Sequence, residues 1–123
     1  MADKVVDASA LAAIIFSEPE GGSVELRLAG HRLLAPTLLP YEMSSVCLKK
    51  LRQHPKDRDA IRARFRKLPS FPIDLHDVEP PAIVEVANLL HLSAYDASYL
   101  LLARQRRAEL VTLDKDLADA ARA

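Results

Sequence analysis

Cysteine, tryptophan and long apolar runs are what this sequence has least of. A single cysteine, Cys47, excludes a disulfide framework or a cysteine-based zinc site and fits a reducing, cytoplasmic setting. The longest apolar runs, such as Ala10 to Phe16, fall well short of the roughly 20 residues needed to span a bilayer, so no membrane association is expected. Met1-Ala2-Asp3-Lys4 carries no basic region ahead of a long apolar stretch, so no signal peptide is expected either. There is no internal repeat and no low-complexity segment. With no tryptophan, three phenylalanines and three tyrosines, little aromatic surface is available, and recognition of bases by stacking on a sheet is not expected.

What is present is ordinary globular material. Half of the 123 residues are hydrophobic and 28% are charged, which suits one domain over residues 1–123 with its own core and excludes a disordered tail. The net charge is zero but unevenly placed. Between Lys49 and Lys67 nine cationic side chains face only Asp57 and Asp59, so this arm carries +7 and the remainder −7. A basic arm beside an acidic body is a polarity that needs a reason.

Strand and helix signals alternate along the chain. Val5-Val6 reads as the end of a buried strand, followed by a helix from Ala8 to Phe16 with Asp7 or Ser9 as its cap. A break at 18–22 precedes a helix over Ser23 to Ala29, closed by Gly30. Arg32 to Ala35 is a second strand, and Pro40-Tyr41-Glu42 opens a helix that ends at His54-Pro55. A basic helix from Pro55 to Leu68 has Ile61, Phe65 and Leu68 as its apolar stripe. Phe71 to Leu75 alternates as a strand near an edge, because Pro72 cannot donate to a ladder. Helices follow over Pro80 to Leu90 and over 94 to about Arg107. Glu109 to Leu113 is the most convincing strand, and Lys115 to Arg122 a terminal helix. Such alternation predicts an α/β/α sandwich around a mostly parallel sheet.

The helix beginning at Ser93 is apolar on nearly every side, the pattern of a buried helix, yet Asp96 stands in its first turn at capping-box spacing from Ser93. Asp7 ends the first strand, Asp114 ends the last, and Glu42 follows the second. In open parallel sheets ligands bind beyond the carboxyl ends of the strands, so all four acids can face one edge. Taken singly, Asp7 and Asp114 are ordinary helix caps, Asp96 a capping-box member, and Glu42 a first-turn acid favoured by the helix dipole. Taken together, four negative charges repel, and a divalent cation offsets that cost. Oxygen-only ligands point to Mg²⁺ or Mn²⁺ rather than zinc.

Val5-Val6-Asp7-Ala8-Ser9, Pro40-Tyr41-Glu42, Ala94-Tyr95-Asp96-Ala97-Ser98-Tyr99-Leu100 and Val111-Thr112-Leu113-Asp114 resemble, in order, the four signature segments of PIN-domain nucleases. VapC toxins of toxin–antitoxin modules are most similar. The resemblance covers essentially the whole chain. It implies a PIN-like α/β/α domain that binds Mg²⁺ or Mn²⁺ through Asp7, Glu42, Asp96 and Asp114 and cleaves RNA. Ser9 and Thr112 match hydroxyl positions that help orient the ligands of the ion, and Asp116 is a candidate additional acid. It further implies a VapB-like antitoxin and a homodimer. Leu26, Leu28, Val46 and Leu51 are candidate contact positions, although core packing would account for most of them.

Arg58, Arg62, Arg64 and Arg66 are candidates for tracking an RNA backbone, against the commoner fate of a charge run as a solvated face. His54 lies in the same arm, whereas His31, His76 and His91 read as structural or surface residues. A housekeeping RNA-processing or DNA-acting nuclease is the alternative within the same chemistry. A non-catalytic acidic-pocket domain ranks lower, since a phospho-acceptor receiver wants paired acids after the first strand and Asp7 is single. An Asp-x-Asp phosphotransferase fails because position 9 is Ser9.

Overall fold

The computed structural model describes residues 2–123. Four strands, β1 (Asp3–Val6), β2 (Arg32–Pro36), β3 (Ile73–His76) and β4 (Glu109–Val111), form one sheet in the order β3-β2-β1-β4. Every neighbouring pair is parallel, with Val5 opposite Leu34 on one side and Leu110 on the other. Val5, Val6, Leu33, Leu34, Ala35 and Val111 are buried. These continuous apolar runs are what a parallel sheet covered on both faces requires.

Seven helices supply the cover: α1 (Ala8–Ile15), α2 (Gly21–Leu28), α3 (Leu39–Gln53), α4 (Arg58–Phe65), α5 (Pro80–Leu90), α6 (Ala94–Arg106) and α7 (Lys115–Arg122). Parallel strands are joined by right-handed crossovers as a rule, which puts the β1–β2 and β2–β3 connections on one face of the sheet and the β3–β4 connection on the other. Packing follows that rule. α1 lies against α2 and α3, and α3 against α4, whereas α6 crosses β1, β2 and β4 and carries α5 and α7. The expected α/β/α architecture is therefore the one observed.

α6 is the buried helix foreseen from its composition, with Ala97, Ser98, Tyr99, Leu100, Leu102 and Ala103 all buried. Asp96 itself is only half-buried, because the helix starts at the rim of the sheet. The expected basic helix from Pro55 to Leu68 is shorter: α4 is flanked by 3-10 turns at Pro55–Asp57 and Leu68–Ser70, each opened or interrupted by a proline. Its anchorage is firm nevertheless. Ile61 is buried, the Phe65 ring stacks on Phe16 at 6.1 Å, and Lys50 Nζ lies 5.1 Å from the same Phe16 ring. β3 is an edge strand as expected, with Pro72 just outside it. β4 is shorter than the run from Glu109 to Leu113, because Thr112 and Leu113 leave the ladder for contacts described below.

Among the suggested contact positions, Leu28 belongs to the core and Val46 and Leu51 pack against it; only Leu26 is exposed. α5 has no buried residue, and Val84 and Leu89 on it face outward. No helix among the described residues is long and apolar enough to cross a membrane.

The α1–α2 hairpin is closed by contact between backbones. A Cβ on Gly21 would fall against the Ala13 carbonyl, 3.1 Å from its carbon, whereas one on Gly22 meets nothing within 4 Å. Gly21→Ala should therefore lose about 1–3 kcal/mol by forcing the helices apart. Gly22→Ala should be neutral or gain up to about 1 kcal/mol from lost unfolded-state entropy. Urea denaturation of the two variants checks this, and equal midpoints would show that the hairpin yields freely.

Candidate active site

Among the described residues only three buried residues are polar, Asp7, Ser98 and Thr112, and two of them touch. Asp7 follows β1 and caps α1, its Oδ1 accepting from the Ala10 N–H at 3.0 Å and from the Ser9 hydroxyl at 2.7 Å. Its Oδ2 accepts from the Thr112 hydroxyl at 2.5 Å. The two hydroxyls are in turn acceptors: Ser9 Oγ takes the Leu113 N–H at 2.9 Å and Thr112 Oγ1 the Asp114 N–H at 3.0 Å. Each hydroxyl proton is thereby committed to Asp7, so the 3.3 Å approach of Ser9 Oγ to Thr112 Oγ1 is a contact without a proton to share. This network draws residues 112–114 off the ladder and sets where Asp114 begins α7.

Asp114 Oδ1 accepts from the Leu117 N–H at 3.0 Å and so caps α7, with the residue exposed. Glu42 lies in the first turn of α3 and accepts a 2.6 Å hydrogen bond from the Tyr99 hydroxyl. Asp96 lies in the first turn of α6, where the Ser93 hydroxyl accepts its backbone N–H at 3.0 Å. The capping reading of Asp7 and Asp114 is thus correct, and it does not compete with a shared site. All four acids stand on helix N-termini at the carboxyl edge of the sheet, where the positive ends of the helix dipoles favour them.

Their charges act on one another. Burial is the largest influence on Asp7, Glu42 and Asp96, and it raises all three carboxyl pKa values above the ordinary range. For Asp7, hydrogen bonds from Thr112, Ala10 and Ser9 oppose the rise and the Asp114 charge adds to it. Glu42 is raised further by Asp96 and Asp7, and Asp96 by Asp114 and Asp7. Like charges without a counter-ion do not close on one another, and among the described residues no three His, Cys, Asp or Glu side chains are drawn into a preformed cage. The donors are all oxygen and their charge is penalised by burial and mutual repulsion. Such a set fits a hard divalent cation.

Ser9 and Thr112, expected to orient the ligands of an ion, hold both oxygens of Asp7. Asp116 is exposed on the first turn of α7, and no side-chain hydrogen bond or ion pair fixes it among the described residues. Arg58, Arg62, Arg64 and Arg66 are exposed on α4 and its C-cap. The composition-based reading missed Tyr99. It is buried, and burial together with the neighbouring Glu42 carboxylate holds its phenol protonated far above the ordinary range. Its spacing, three residues after Asp96, was the available signal, since both must lie on one side of α6. His76 is tied through Nδ1 to Arg106 at 2.9 Å, and His31 through Nδ1 to the Ala2 carbonyl at 2.9 Å, so both serve the scaffold.

The family model of the PIN domain matches residues 4–123. Among solved structures, the crystal structure of PAE2754 from Pyrobaculum aerophilum is similar, with a TM-score of 0.77 and 30% sequence identity over 97% of this chain and 84% of that one. No curated protein matches the chain.

A carboxyl with a folded pKa above its unfolded one binds more protons when folded. Its contribution to stability is therefore present at low pH and lost as pH rises through the folded pKa. Asp7→Asn removes the buried charge and keeps an acceptor for Ala10. In chelator at pH 7 it should melt a few degrees above the wild type, about 1 kcal/mol corresponding to roughly 3–6 °C at this size. The difference should shrink as the pH is lowered through the raised pKa of the wild-type carboxyl, which is then itself neutralised. A variant melting below the wild type at pH 7 would mean that the hydrogen bonds to Asp7 outweigh its burial.

Proposed function

The chain belongs to the PIN domain family, whose members are generally nucleases and typically use divalent metals, and on that premise we propose that it is a Mg²⁺- or Mn²⁺-dependent endoribonuclease acting as the toxin of a VapBC-type pair. The observation that carries the reading is the set of Asp7, Glu42, Asp96 and Asp114 on four helix N-termini at one sheet edge, three of them with charge penalised by burial and by one another.

Those four carboxylates would hold the ion. Bound there, a divalent cation supplies Lewis acidity, lowering the pKa of an attacking water and offsetting charge on the scissile phosphate. Ser9 and Thr112 restrict Asp7 to one rotamer, and Tyr99 restricts Glu42, so two of the four oxygen donors are set in place before any ligand arrives. Asp114 uses one oxygen for its cap.

The RNA assignment is supported by charge. α3 runs from Glu42 at the site to Lys49, Lys50 and Arg52, and the arm continues through α4. A groove of about 440 Å³ runs from Ser9 and Leu113 to Lys49 and Lys50 at the root of that arm, with Glu18 and Glu20 also on its wall and Glu18 paired to Lys50. Arg58, Arg62, Arg64 and Arg66 extend the positive surface, and backbone contacts of this kind weaken as salt rises. A VapB-like antitoxin would cover the acidic edge, and a homodimer is the expected assembly, for which exposed Val84 and Leu89 on α5 are better placed than Leu28.

The decisive test pairs thermal melting with cleavage. Mn²⁺ or Mg²⁺ should raise the melting temperature of the wild type, by linkage, and leave Asp96→Asn unmoved. The same variant should lose RNA cleavage by more than about a hundredfold, the upper range for disturbing even an outer partner of a metal site. Tyr99→Phe should raise the Mn²⁺ concentration needed for half-maximal activity by about tenfold. An Asp96→Asn protein as active as wild type would end the proposal. Growth unaffected by expression of an active enzyme would favour the housekeeping nuclease over the toxin.

A further inference from the structure

We propose that the cavity between Tyr41 and Tyr95 is a base-binding subsite, taking the unpaired base of a nucleotide whose phosphate lies at the carboxylates. This rests on the nuclease reading and adds to it a place where the substrate is gripped by something other than its charge.

The cavity measures about 410 Å³ and is lined by Ala8, Leu38, Ser45, Val46 and the two tyrosines, with Glu42 shared between it and the acidic edge. Its size is within the range of small-ligand sites. Tyr41 is 77% exposed and Tyr95 64% exposed, whereas Tyr99, the third tyrosine, is buried. Neither exposed ring contributes to the core, so the fold does not account for them. Each immediately precedes a site carboxylate in the chain, Tyr41 before Glu42 at the start of α3 and Tyr95 before Asp96 at the start of α6. The two helix starts that deliver acids to the edge thus deliver one aromatic ring each to the neighbouring cavity.

The chemistry of the lining selects the occupant. No cation lines the cavity and a carboxylate stands at its border, so a phosphate or an acidic side chain is disfavoured there. A neutral, flat, apolar-faced group is favoured, and stacking on aromatic side chains is how unpaired bases are held without sequence readout. Phosphate and base then divide between two adjoining surfaces, one built of oxygen and one of tyrosine. The small number of aromatics argued against recognition by stacking on a sheet. The rings here stand at helix starts instead, and two suffice for one base.

With no tryptophan in the chain, emission comes from Tyr41, Tyr95 and the buried Tyr99, two of the three lining the cavity. The test compares an oligoadenylate of about six nucleotides with an abasic oligomer of the same length, titrated against the full-length chain in Mn²⁺ at constant salt. The wild type should bind the oligoadenylate more tightly, with quenching of its fluorescence. Tyr41→Ala and Tyr95→Ala should each weaken oligoadenylate binding by about fivefold or more, bringing it toward the abasic value, and Tyr95→Phe should restore it. Both rings are exposed, so the variants should melt with the wild type. Equal affinity of the wild type for the two oligomers overturns the subsite while leaving the nuclease reading intact. So does a loss of self-association in the alanine variants with nucleotide affinity unchanged, which would assign the cavity to a protein contact. Failure to bind or cleave either oligomer would instead remove the nuclease reading itself.

Discussion

Three hydrogen bonds to one buried carboxylate fix the working edge of this molecule. Asp7 ends the central strand, caps α1 through the Ala10 N–H, and receives the Ser9 and Thr112 hydroxyls on its two oxygens. Those hydroxyls accept the N–H groups of Leu113 and Asp114 in turn. One side chain therefore joins the end of β1, the start of α1, the end of β4 and the start of α7. A charge placed where burial penalises it must be held by partners that tolerate no slack, and the same partners leave no freedom in how Asp7 is presented.

The remaining acids depend on that arrangement through the field. Asp114 raises the pKa of Asp7 and of Asp96, and Asp7 raises those of Glu42 and Asp96. Helix N-termini offset part of the repulsion, and a cation would offset the rest. The fold therefore carries a local excess of negative charge that burial and mutual repulsion penalise. The basic arm is a separate surface, tied down by the Phe16–Phe65 stack, by Ile61 and by the Lys50–Glu18 ion pair at 2.7 Å.

Position along the sheet also explains which surfaces stay available. α6 is buried against three strands, and α5 rides on it without burying a residue of its own. Apolar side chains on α5, the tyrosines at the starts of α3 and α6, and Leu113 beside Asp114 are exposed hydrophobic features.

Much of this was readable in the residues themselves. Apolar runs at strand length, prolines at helix starts and an all-round apolar helix gave element order, parallel pairing and the buried place of α6, because such patterns are local and periodic. The four acids could be placed at one edge because a parallel sheet puts every strand's carboxyl end on the same side. Tertiary structure alone decided the rest. That the Asp7 network holds Ser9 and Thr112 at once depends on residues more than a hundred positions apart. So does the truncation of β4, whose last residues are diverted to it. Tyr99 becomes a partner of Glu42 only when α3 and α6 meet across the sheet edge, and Tyr41 and Tyr95 share a cavity for the same reason. Local sequence sets what a segment can be, whereas which side chains meet is set by how the layers close, and spacing along the chain carries no record of that.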